Sequence, residues 1–459
     1  MFYFRENEID KLNKFYNSSN TKAMAIYGRR RIGKTELIRN YVNFINPNKS
    51  IYFQCTSIDY DICLNDFISQ IKHYFNRDEV LYSLHSFKDV FVYLSKTDYS
   101  KYVFIIDEFP FLCKKNDSVE TEFQWIIDNC LSGNKLILLG SNLSFMRKAI
   151  INNESPLYGR FDEILQIRAF TFNEVNKLFS SFEDSVLVYA LTGGVAQYVM
   201  YFKEYKNVED AINNLYFNAN ARLINEGHNI LTQELKQTST YVSIIRCIGT
   251  SIKDSGTIAK MCNLDQRAIF TYIDKLIDME IISVVKNPLS NKKYDKRFMI
   301  KDLFFRFYYS FLDPNISLIV SIGEKSKEFI LDDRFDTYLG YVYENIISNS
   351  LYELAINKQI PFMPKNIGKW WGNVKVDDKY VETEVDVVAY DNESIIIGEC
   401  KYKNKLIGLK EYEALVNKSE YINTNNKKIY YLLASKKGFT KETINTNNLI
   451  LIKENKVIS

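Results

Sequence analysis

The stretch from Ala23 to Thr35 constrains the fold of this 459-residue chain more than any other. Five apolar residues, AMAIY, lead directly into GRRRIGKT. A short apolar run of this kind is typical of a strand buried on both faces of a parallel sheet. Glycines at the first and sixth positions of GRRRIGKT allow a tight loop whose backbone N–H groups point inward. The segment therefore predicts a strand, a phosphate-binding loop and a helix over residues 36–42, and with them an α/β fold built on a parallel sheet.

The same loop predicts a site for ATP and Mg²⁺. Lys34 would place a positive charge at the β and γ phosphates, and the Thr35 hydroxyl would bind Mg²⁺ at the start of the helix. A chance match in an unrelated loop is the alternative, and the strand before the loop and the helical pattern after it argue against that. The predicted nucleotide-binding residues of the loop are Gly28, Arg29, Arg30, Arg31, Ile32, Gly33, Lys34, Thr35 and Glu36.

A second acidic signature follows in KYVFIIDEF, residues 101–109. This apolar strand ends in two carboxylates. Asp107 would hold Mg²⁺ through water, and Glu108 would polarise the attacking water. Solvated acids that merely cap a strand are the alternative, and the phosphate loop upstream favours the catalytic role.

Two further segments carry candidates whose alternatives stay open. At the tip of LILLGSN, Ser141 or Asn142 could sense the γ-phosphate or cap a turn. Arg160, in SPLYGRF, could act as an arginine finger in its own or a neighbouring subunit, or form a surface ion pair. A finger acting on a neighbouring subunit would require a homo-oligomer formed through the ATPase domain.

Composition is that of an ordinary globular chain, with 46% hydrophobic and 25% charged residues and a net charge of +3. Any nucleic-acid surface must therefore be local. No apolar run approaches the roughly 18 residues needed to span a bilayer, and the first residues lack a signal-peptide pattern. The seven cysteines form no C-x-x-C pair. We therefore expect a cytoplasmic protein with no membrane segment and without disulfides.

The length and the changing pattern predict three domains. Residues 1–205 would form the ATPase domain, 206–330 a helical and winged-helix domain, and 331–459 a second α/β domain. The buried strands of the first domain are predicted at Ala23–Tyr27, Ser50–Cys55, Tyr102–Ile106 and Lys135–Gly140.

Residues 255–300 have the pattern of a helix-turn-helix followed by a wing. TIAKMC is a short helical segment, NLD is a turn, and Asp265 can cap the next helix. That helix has an apolar face comprising Ile269, Ile273, Leu276 and Ile277. IISVV and YDKRFMI would pair as the wing, whose basic residues are Lys286, Lys292, Lys293, Lys296 and Arg297. In a DNA-binding protein such a helix enters the major groove and the wing contacts phosphate, whereas in multidomain ATPases the module also serves as a lid or a protein-contact surface.

The C-terminal segment carries a second candidate site. EVDVVAY and IIIGECKY alternate like strands, and DNES between them fits a hairpin turn. Asp386 lies on one strand, and Glu399 and Lys401 share a face of the other. Two carboxylates that bind Mg²⁺ and a lysine near the bound water suit phosphodiester hydrolysis. Glu344, in a helix predicted over Arg334 to Ile356, could supply a further ligand.

A surface hairpin with solvated charges is the alternative to this site, and the apolar alternate face of both strands argues against it. Trp370 and Trp371, just before the first strand, could pack in the core or stack on bases. Over the whole chain, the predicted metal ligands are Thr35, Asp107, Glu344, Asp386 and Glu399.

With these motifs, the chain resembles a known family. It looks like the archaeal-type ATPases, which are P-loop proteins similar to AAA+ and STAND NTPases. The segments that carry the likeness are GRRRIGKTELI, VFIIDEFPFL, ILLGSNLSFM, SPLYGRF, LTGGVAQYV and DLFFRFYYSFLDPN. The resemblance covers almost the whole chain. It implies a winged helix and a C-terminal domain that resembles PD-(D/E)xK nucleases.

By position, the resemblance implies Arg160 as the finger-like arginine and Asp386, Glu399 and Lys401 as the nuclease-like triad. It also implies Glu344 as the helical acid. Ala196 stands where the family usually has proline, and Val385 precedes Asp386 where the nuclease motif has proline.

These observations together predict an ATP-binding and ATP-hydrolysing protein that acts on DNA through a Mg²⁺-dependent, nucleotide-regulated nuclease domain. The alternative is a nucleotide-switch regulator or remodelling ATPase whose winged helix and C-terminal fold only bind DNA or protein. The predicted catalytic residues are Glu108, Arg160, Glu344, Asp386, Glu399 and Lys401.

Overall fold

The structure is a computed structural model and describes residues 3–45, 49–76, 84–96, 101–289, 296–376, 379–446 and 448–458. The chain forms two compact units. The first comprises Met1–Phe170 with Val195–Tyr198, and the second comprises Thr171–Gly194 with Val199–Ser459.

A parallel sheet forms the centre of the first unit. Within the described residues it has five strands in the order β2-β3-β4-β1-β5. They are β1 (Ala23–Tyr27), β2 (Ser50–Gln54), β3 (Val103–Asp107), β4 (Lys135–Gly140) and β5 (Glu163–Gln166). The helices are α1 (Glu6–Asn17), α2 (Lys34–Ile45), α3 (Tyr60–Phe75), α4 (Phe87–Ser95), α5 (Pro110–Cys113), α6 (Val119–Asn129) and α7 (Leu143–Ile151).

The four predicted strands all occur, with ends that differ by one residue for β2 and β3. The sequence pattern missed β5, a short strand at the sheet edge with one buried residue among its four. Side chains of β3 alternate between two apolar clusters, with Phe104 and Ile106 in one and Val103 and Ile105 in the other. Because successive side chains of a strand point to opposite faces, the side chain of Asp107 lies on the same face of the sheet as those of Val103 and Ile105.

Helices dominate the next part of the chain. They are α8 (Phe172–Asn176), α9 (Phe182–Thr192), α10 (Ala196–Phe202), α11 (Val208–Tyr216), α12 (Glu226–Glu234), α13 (Thr238–Ile248), α14 (Ser255–Met261), α15 (Ala268–Asp278), α16 (Leu303–Phe307), α17 (Ile316–Ile322), α18 (Lys327–Ile330) and α19 (Asp333–Ile356). A π-helical turn, Tyr308–Leu312, continues α16. The predicted long helix over 334–356 corresponds to α19.

A small antiparallel sheet accompanies α13, α14 and α15. It consists of β6 (Lys253–Asp254), β7 (Ile282–Lys286) and β8 (Lys296–Ile300), in the order β6-β8-β7. The predicted pairing of IISVV with YDKRFMI is therefore present between Ile282–Lys286 and Lys296–Ile300, and Tyr294 and Asp295 lie outside the described residues. Asp254 caps α14 by accepting a hydrogen bond from the N–H of Thr257 at 2.9 Å, and α14 begins two residues before the predicted segment. Lys292 and Lys293 lie outside the described residues.

The C-terminal sheet contains, in the part of the chain that is described, six strands in the order β14-β13-β12-β11-β10-β9. They are β9 (Asn366–Val376), β10 (Lys379–Tyr390), β11 (Ser394–Lys401), β12 (Lys428–Ser435), β13 (Leu449–Lys453) and β14 (Lys456–Val457), with helices α20 (Leu409–Ser419) and α21 (Lys441–Ile444). The predicted hairpin joins β10 to β11, and a register irregularity falls between Val385 and Val388 of β10. None of the helices in the described ranges is both long and apolar enough to cross a membrane.

Candidate functional site

The phosphate loop lies at the carboxyl edge of the parallel sheet, between β1 and α2. At Gly28 a Cβ atom would lie 2.4 Å from the carbonyl oxygen of Ile167, so any larger residue would collide with the backbone. Gly33 has a φ of +95°, a conformation that favours glycine. The backbone thus requires both glycines of the pattern, and α2 begins directly after them at Lys34.

Lys34 lies inside this loop and is only 6% exposed. Its ammonium donates hydrogen bonds to the carbonyl oxygens of Gly28 at 2.7 Å and Arg29 at 3.0 Å. The loop carbonyls therefore hold the positive charge beside the N-terminus of α2. A buried cation next to a helix N-terminus fits the phosphates of a nucleotide.

The carboxylate of Asp107, at the end of β3, accepts three hydrogen bonds. Its Oδ2 accepts from the Thr35 hydroxyl at 2.7 Å and from the Tyr52 hydroxyl at 2.6 Å, and its Oδ1 accepts from the N–H of Glu108 at 2.8 Å. The carboxylate is fully buried. Hydroxyl and carboxylate oxygens are ligands suited to Mg²⁺, so Thr35 and Asp107 fit the metal side of a nucleotide site.

Glu108 and the tip of β4 meet beside this carboxylate. The Ser141 hydroxyl donates to Oε1 and Oε2 of Glu108 at 2.7 and 2.6 Å. The side chain of Asn142 instead accepts from the N–H of Phe145 at 2.9 Å and caps α7. Of the two alternatives considered for this tip, Asn142 forms the helix cap and Ser141 contacts the candidate catalytic acid.

The remaining residues of the loop are held by neighbours in the first unit. The carbonyl of Arg31 accepts from the N–H of Gln197 at 3.1 Å, and the guanidinium groups of Arg30 and Arg31 lie 5.9 Å from the ring centroids of Phe111 and Tyr198. Glu36 points along α2, where Oε1 accepts from the side chain of Asn40 at 2.8 Å.

Arg5 is a loop-supporting residue that the sequence analysis missed. Its buried guanidinium donates to the carbonyl oxygens of Ile32 at 3.1 Å and Arg168 at 3.0 Å, and pairs with Glu8 at 3.0 Å. It also lies over the ring of Phe170 at 5.0 Å. The sequence contained one hint, a single arginine directly after the aromatic residues of MFYFRE, but the two carbonyl groups that it binds lie far from it along the chain.

Arg160 forms an ion pair with Asp128, at 3.0 Å from Nε to Oδ1. Both side chains are partly exposed. Within one chain, Arg160 therefore forms the surface ion pair that is the alternative to an arginine finger. The role of Arg160 as an arginine finger stays a prediction.

The C-terminal site draws residues from three elements onto the sheet. Asp386 of β10 is 6% exposed, and its Oδ2 accepts from the N–H of Cys400 at 2.9 Å. Burial, together with the charges of Glu344 and Glu399, raises the pKa of Asp386 to about 8. The acids predicted from α19, β10 and β11 are therefore close enough to influence one another electrostatically.

Lysines neutralise two of these acids, and sequence reasoning missed two of the lysines. Glu344 forms a salt bridge with Lys369 of β9. Glu399 is 8% exposed and accepts from Lys401 at 2.5 Å and from Lys418 of α20 at 3.1 Å.

Burial also shifts the titration of this cluster. It raises the pKa of Glu344 even though the charge of Lys369 opposes the shift. Burial alone would lower the pKa of Lys401, but the charge and hydrogen bond of Glu399 outweigh it and the net shift is upward.

In the described part of the chain, no three Asp, Glu, His or Cys side chains are arranged as a group that could hold a metal ion. The oxygen donors of Glu344, Asp386 and Glu399 suit Mg²⁺ by type, but two of the acids are engaged by lysines. Joint metal binding by the three acids stays a prediction. It requires the carboxylates of Glu344 and Glu399 to rotate away from their lysine partners.

The turn after β7 packs on the C-terminal sheet. The side chain of Asn287 donates to the carbonyl of Trp371 at 2.7 Å, and Tyr390 donates its hydroxyl proton to the carbonyl of Pro288 at 2.9 Å. Arg297 of β8 lies over the Trp371 ring at 4.9 Å and pairs with Glu382. Of the alternatives for the tryptophans, packing is observed, since both are buried.

Two family models match this chain. One, described as an ATPase domain predominantly from Archaea, matches residues 2–202. The other, described as archaeal and bacterial proteins of unknown function, matches residues 308–418. An uncharacterized protein of Methanocaldococcus jannaschii is 30% identical over 454 residues, which cover 96% of this chain and 97% of the relative.

Solved structures are more distant. The ORC2 protein of Aeropyrum pernix, in ADPNP and ADP complexes, is 12% identical, covers 67% of this chain and 93% of its own, and has a TM-score of 0.43. Cdc6p of Pyrobaculum aerophilum is 12% identical, covers 70% of this chain and 94% of its own, and has a TM-score of 0.32.

Proposed function

Since this chain belongs to the family whose ATPase domain is found predominantly in Archaea, we propose that its first unit binds ATP with Mg²⁺ and hydrolyses it. The observation that carries the proposal is the 2.7 Å hydrogen bond between Thr35 and the buried Asp107, beside a lysine enclosed by the glycine loop. This arrangement joins a phosphate cradle to a metal-side carboxylate in one unit.

Each residue has a distinct role in this proposal. Lys34 and the loop N–H groups bind and orient the phosphates. Thr35 and Asp107 hold Mg²⁺, which offsets phosphate charge when bound. Glu108 orients the attacking water and accepts its proton, and Arg160 acts as a finger in an oligomer.

The second unit, in this proposal, acts on DNA. Its β6–β8 sheet with α13, α14 and α15 is a winged helix-turn-helix, and α15 is its recognition helix. Gln266, Arg267 and Phe270 form an exposed face at the start of α15 that is suited to contact DNA. The β7–β8 wing is a weaker candidate for phosphate contact because Arg297 and the turn at Asn287 pack within the unit.

The C-terminal sheet is proposed to be a PD-(D/E)xK-type nuclease under nucleotide control. Asp386 and Glu399 would hold Mg²⁺, Glu344 would add a ligand, and Lys401 would orient the nucleophilic water. The support for this is one buried cluster of acids from β10, β11 and α19 that also contains the predicted lysine.

A second candidate function is favoured by the lysine salt bridges on Glu344 and Glu399. With these acids neutralised, the C-terminal domain would bind nucleic acid without cutting it. The protein would then be a nucleotide-switch regulator or a remodelling ATPase.

Cleavage of supercoiled and linear DNA, with Mg²⁺ or Mn²⁺ and with or without ATP, separates these candidates. We expect cutting by the wild type, none by Asp386→Ala, and a changed dependence on ATP in Lys34→Ala. Intact ATP hydrolysis without cutting under either metal would eliminate the nuclease and favour the binding role. Absence of nucleotide binding in the wild type would contradict the proposal for the first unit.

A further inference from the structure

The buried carboxylate of Asp107 has one partner outside the recognised motifs. Thr35 belongs to the phosphate loop and Glu108 to the acidic strand end, but Tyr52 lies on the neighbouring strand β2. Its hydroxyl is 2.6 Å from Oδ2 of Asp107, the oxygen that also accepts from Thr35. A third residue therefore acts directly on the metal-side carboxylate.

Strand register places Tyr52 at this point. It pairs with Ile105, and Gln54 pairs with Asp107. Since side chains alternate, Ile51 and Phe53 join the apolar cluster on one face of the sheet and Tyr52 packs against the cluster on the other, the face that Asp107 continues.

Two further contacts hold Tyr52, one on its backbone and one on its ring. The side chain of Gln70 donates to its carbonyl oxygen at 2.7 Å, and the guanidinium of Arg39, on α2, lies 5.5 Å from its ring centroid. The backbone and the ring are thus both in contact with neighbouring residues, and the hydroxyl forms its hydrogen bond to Asp107 without a bound ligand.

We infer that Tyr52 is a positioning residue for the metal side of the nucleotide site. The inference rests on the proposed function of that site. A hydroxyl has one proton and two lone pairs. When Thr35 donates its proton to Asp107, its lone pairs stay available to a cation, provided that the carboxylate keeps its orientation.

Tyr52 supplies that orientation. It anchors Oδ2 from the side of β2, while the N–H of Glu108 anchors Oδ1. Without the Tyr52 hydroxyl, the carboxylate keeps two of its three donors and gains freedom to rotate. Pre-organised groups bind more tightly than mobile ones, so loss of this hydroxyl should weaken the Mg²⁺-dependent part of nucleotide binding.

Tyr52→Phe tests this inference because it removes the hydroxyl and keeps the ring beside Arg39. The probe is the fluorescent nucleotide N-methylanthraniloyl-ADP, bound to the full chain in EDTA and then titrated with Mg²⁺. Tyr41→Phe is the matched control: the Tyr41 hydroxyl donates to the carbonyl of Leu12 at 2.7 Å, in the same apolar cluster. A thermal melt of each variant reports on folding.

We expect the Mg²⁺ concentration for half-saturation to rise by about 3- to 10-fold in Tyr52→Phe, the size of a partly lost hydrogen bond to a charged group. Binding in EDTA should match the wild type, and Tyr41→Phe should be unchanged in both measurements. An unchanged or lower Mg²⁺ requirement in Tyr52→Phe, or an equal rise in both variants, overturns the inference. Wild type that binds no nucleotide at all would instead contradict the proposed function.

Discussion

Ser141 and Glu108 form a direct contact between the ends of β4 and β3: one hydroxyl lies within 2.7 Å of both carboxylate oxygens. Glu108 has a φ of +54°, which is uncommon for a residue other than glycine. Such a conformation persists where the surrounding structure fixes it. The side chain proposed to orient water is thus fixed both by its backbone and by a hydrogen bond.

Ser141→Ala should therefore lower the rate of ATP hydrolysis more than the affinity for ATP. Loss of the hydroxyl leaves Glu108 in place but less well oriented. We expect kcat to fall by about 3- to 10-fold, less than the roughly 100-fold that a 1 Å misplacement of a catalytic group can cost. Steady-state hydrolysis, with nucleotide affinity measured separately, gives both quantities.

Ser144→Ala is the control for this prediction. The Ser144 hydroxyl makes no hydrogen bond within the described residues, so the same change three residues later should leave kcat unaltered. An equal loss in both variants, or a loss confined to nucleotide affinity, would contradict an orienting role for Ser141.

Gly28→Ala should destabilise the first unit. The new Cβ would lie 2.4 Å from the carbonyl oxygen of Ile167, and backbone cannot move as easily as a side chain. We expect a loss of about 1–3 kcal/mol in the free energy of unfolding, the typical cost of overpacking. Urea denaturation of the full chain, followed by circular dichroism, measures this.

Gly340→Ala is the matched comparison. A Cβ atom at Gly340, inside α19, meets no atom within 4 Å. Because alanine favours the helix by about 0.5–1 kcal/mol over glycine, this variant should be as stable as the wild type or more stable. Equal destabilisation by both substitutions would refute the close approach at Gly28.

The sequence predicted the parallel sheet and the candidate acids because both depend on local periodicity. Apolar runs located four strands, and alternation along β11 put Glu399 and Lys401 on one face, where they form a hydrogen bond. The order β2-β3-β4-β1-β5 could not be predicted in this way, because it depends on which strands pair.

Residues that act through tertiary contacts were missed for the same reason. Lys418 contacts Glu399, yet nothing in LKEYEALVNKS distinguishes it from Lys410 on the same helix. Tyr52 looks like any aromatic strand residue until β2 is paired with β3. The π-helical turn after α16 likewise had no signature in the apolar run FFRFYYSFL.

Lys369→Met should strongly destabilise the second unit. It would leave Glu344 without its cation in a largely buried position, and breaking one side of a buried pair costs about 3–5 kcal/mol. Because both side chains keep some exposure, we expect a smaller loss than this range, about 2–3 kcal/mol, in urea denaturation.

A double-mutant cycle with Glu344→Gln isolates the pair. The double variant should lose less free energy of unfolding than the two single variants lose together, since no uncompensated charge remains. Strict additivity of the two substitutions would show that Lys369 and Glu344 do not stabilise each other.

Asn287→Ala should loosen β9 where the turn after β7 packs against it. The substitution removes the donor for the buried carbonyl of Trp371, and an unsatisfied buried acceptor costs about 1–3 kcal/mol. Gly368, close to the ring of Pro288, lies in the same strand. Hydrogen exchange of the β9 amides should accelerate, whereas the strands of the first unit serve as an internal reference and should not change.

Asn229→Ala, on the exposed surface of α12, controls for loss of an asparagine and should leave exchange in β9 unaltered. If β9 exchanges at the wild-type rate in Asn287→Ala, the hydrogen bond to Trp371 contributes nothing to the packing of the turn. The β7–β8 hairpin would then be held on the sheet by the contacts of Arg297 with Trp371 and Glu382 and by the hydrogen bond from Tyr390 to Pro288. In that case Arg297→Ala, but not Asn287→Ala, would accelerate exchange in β9.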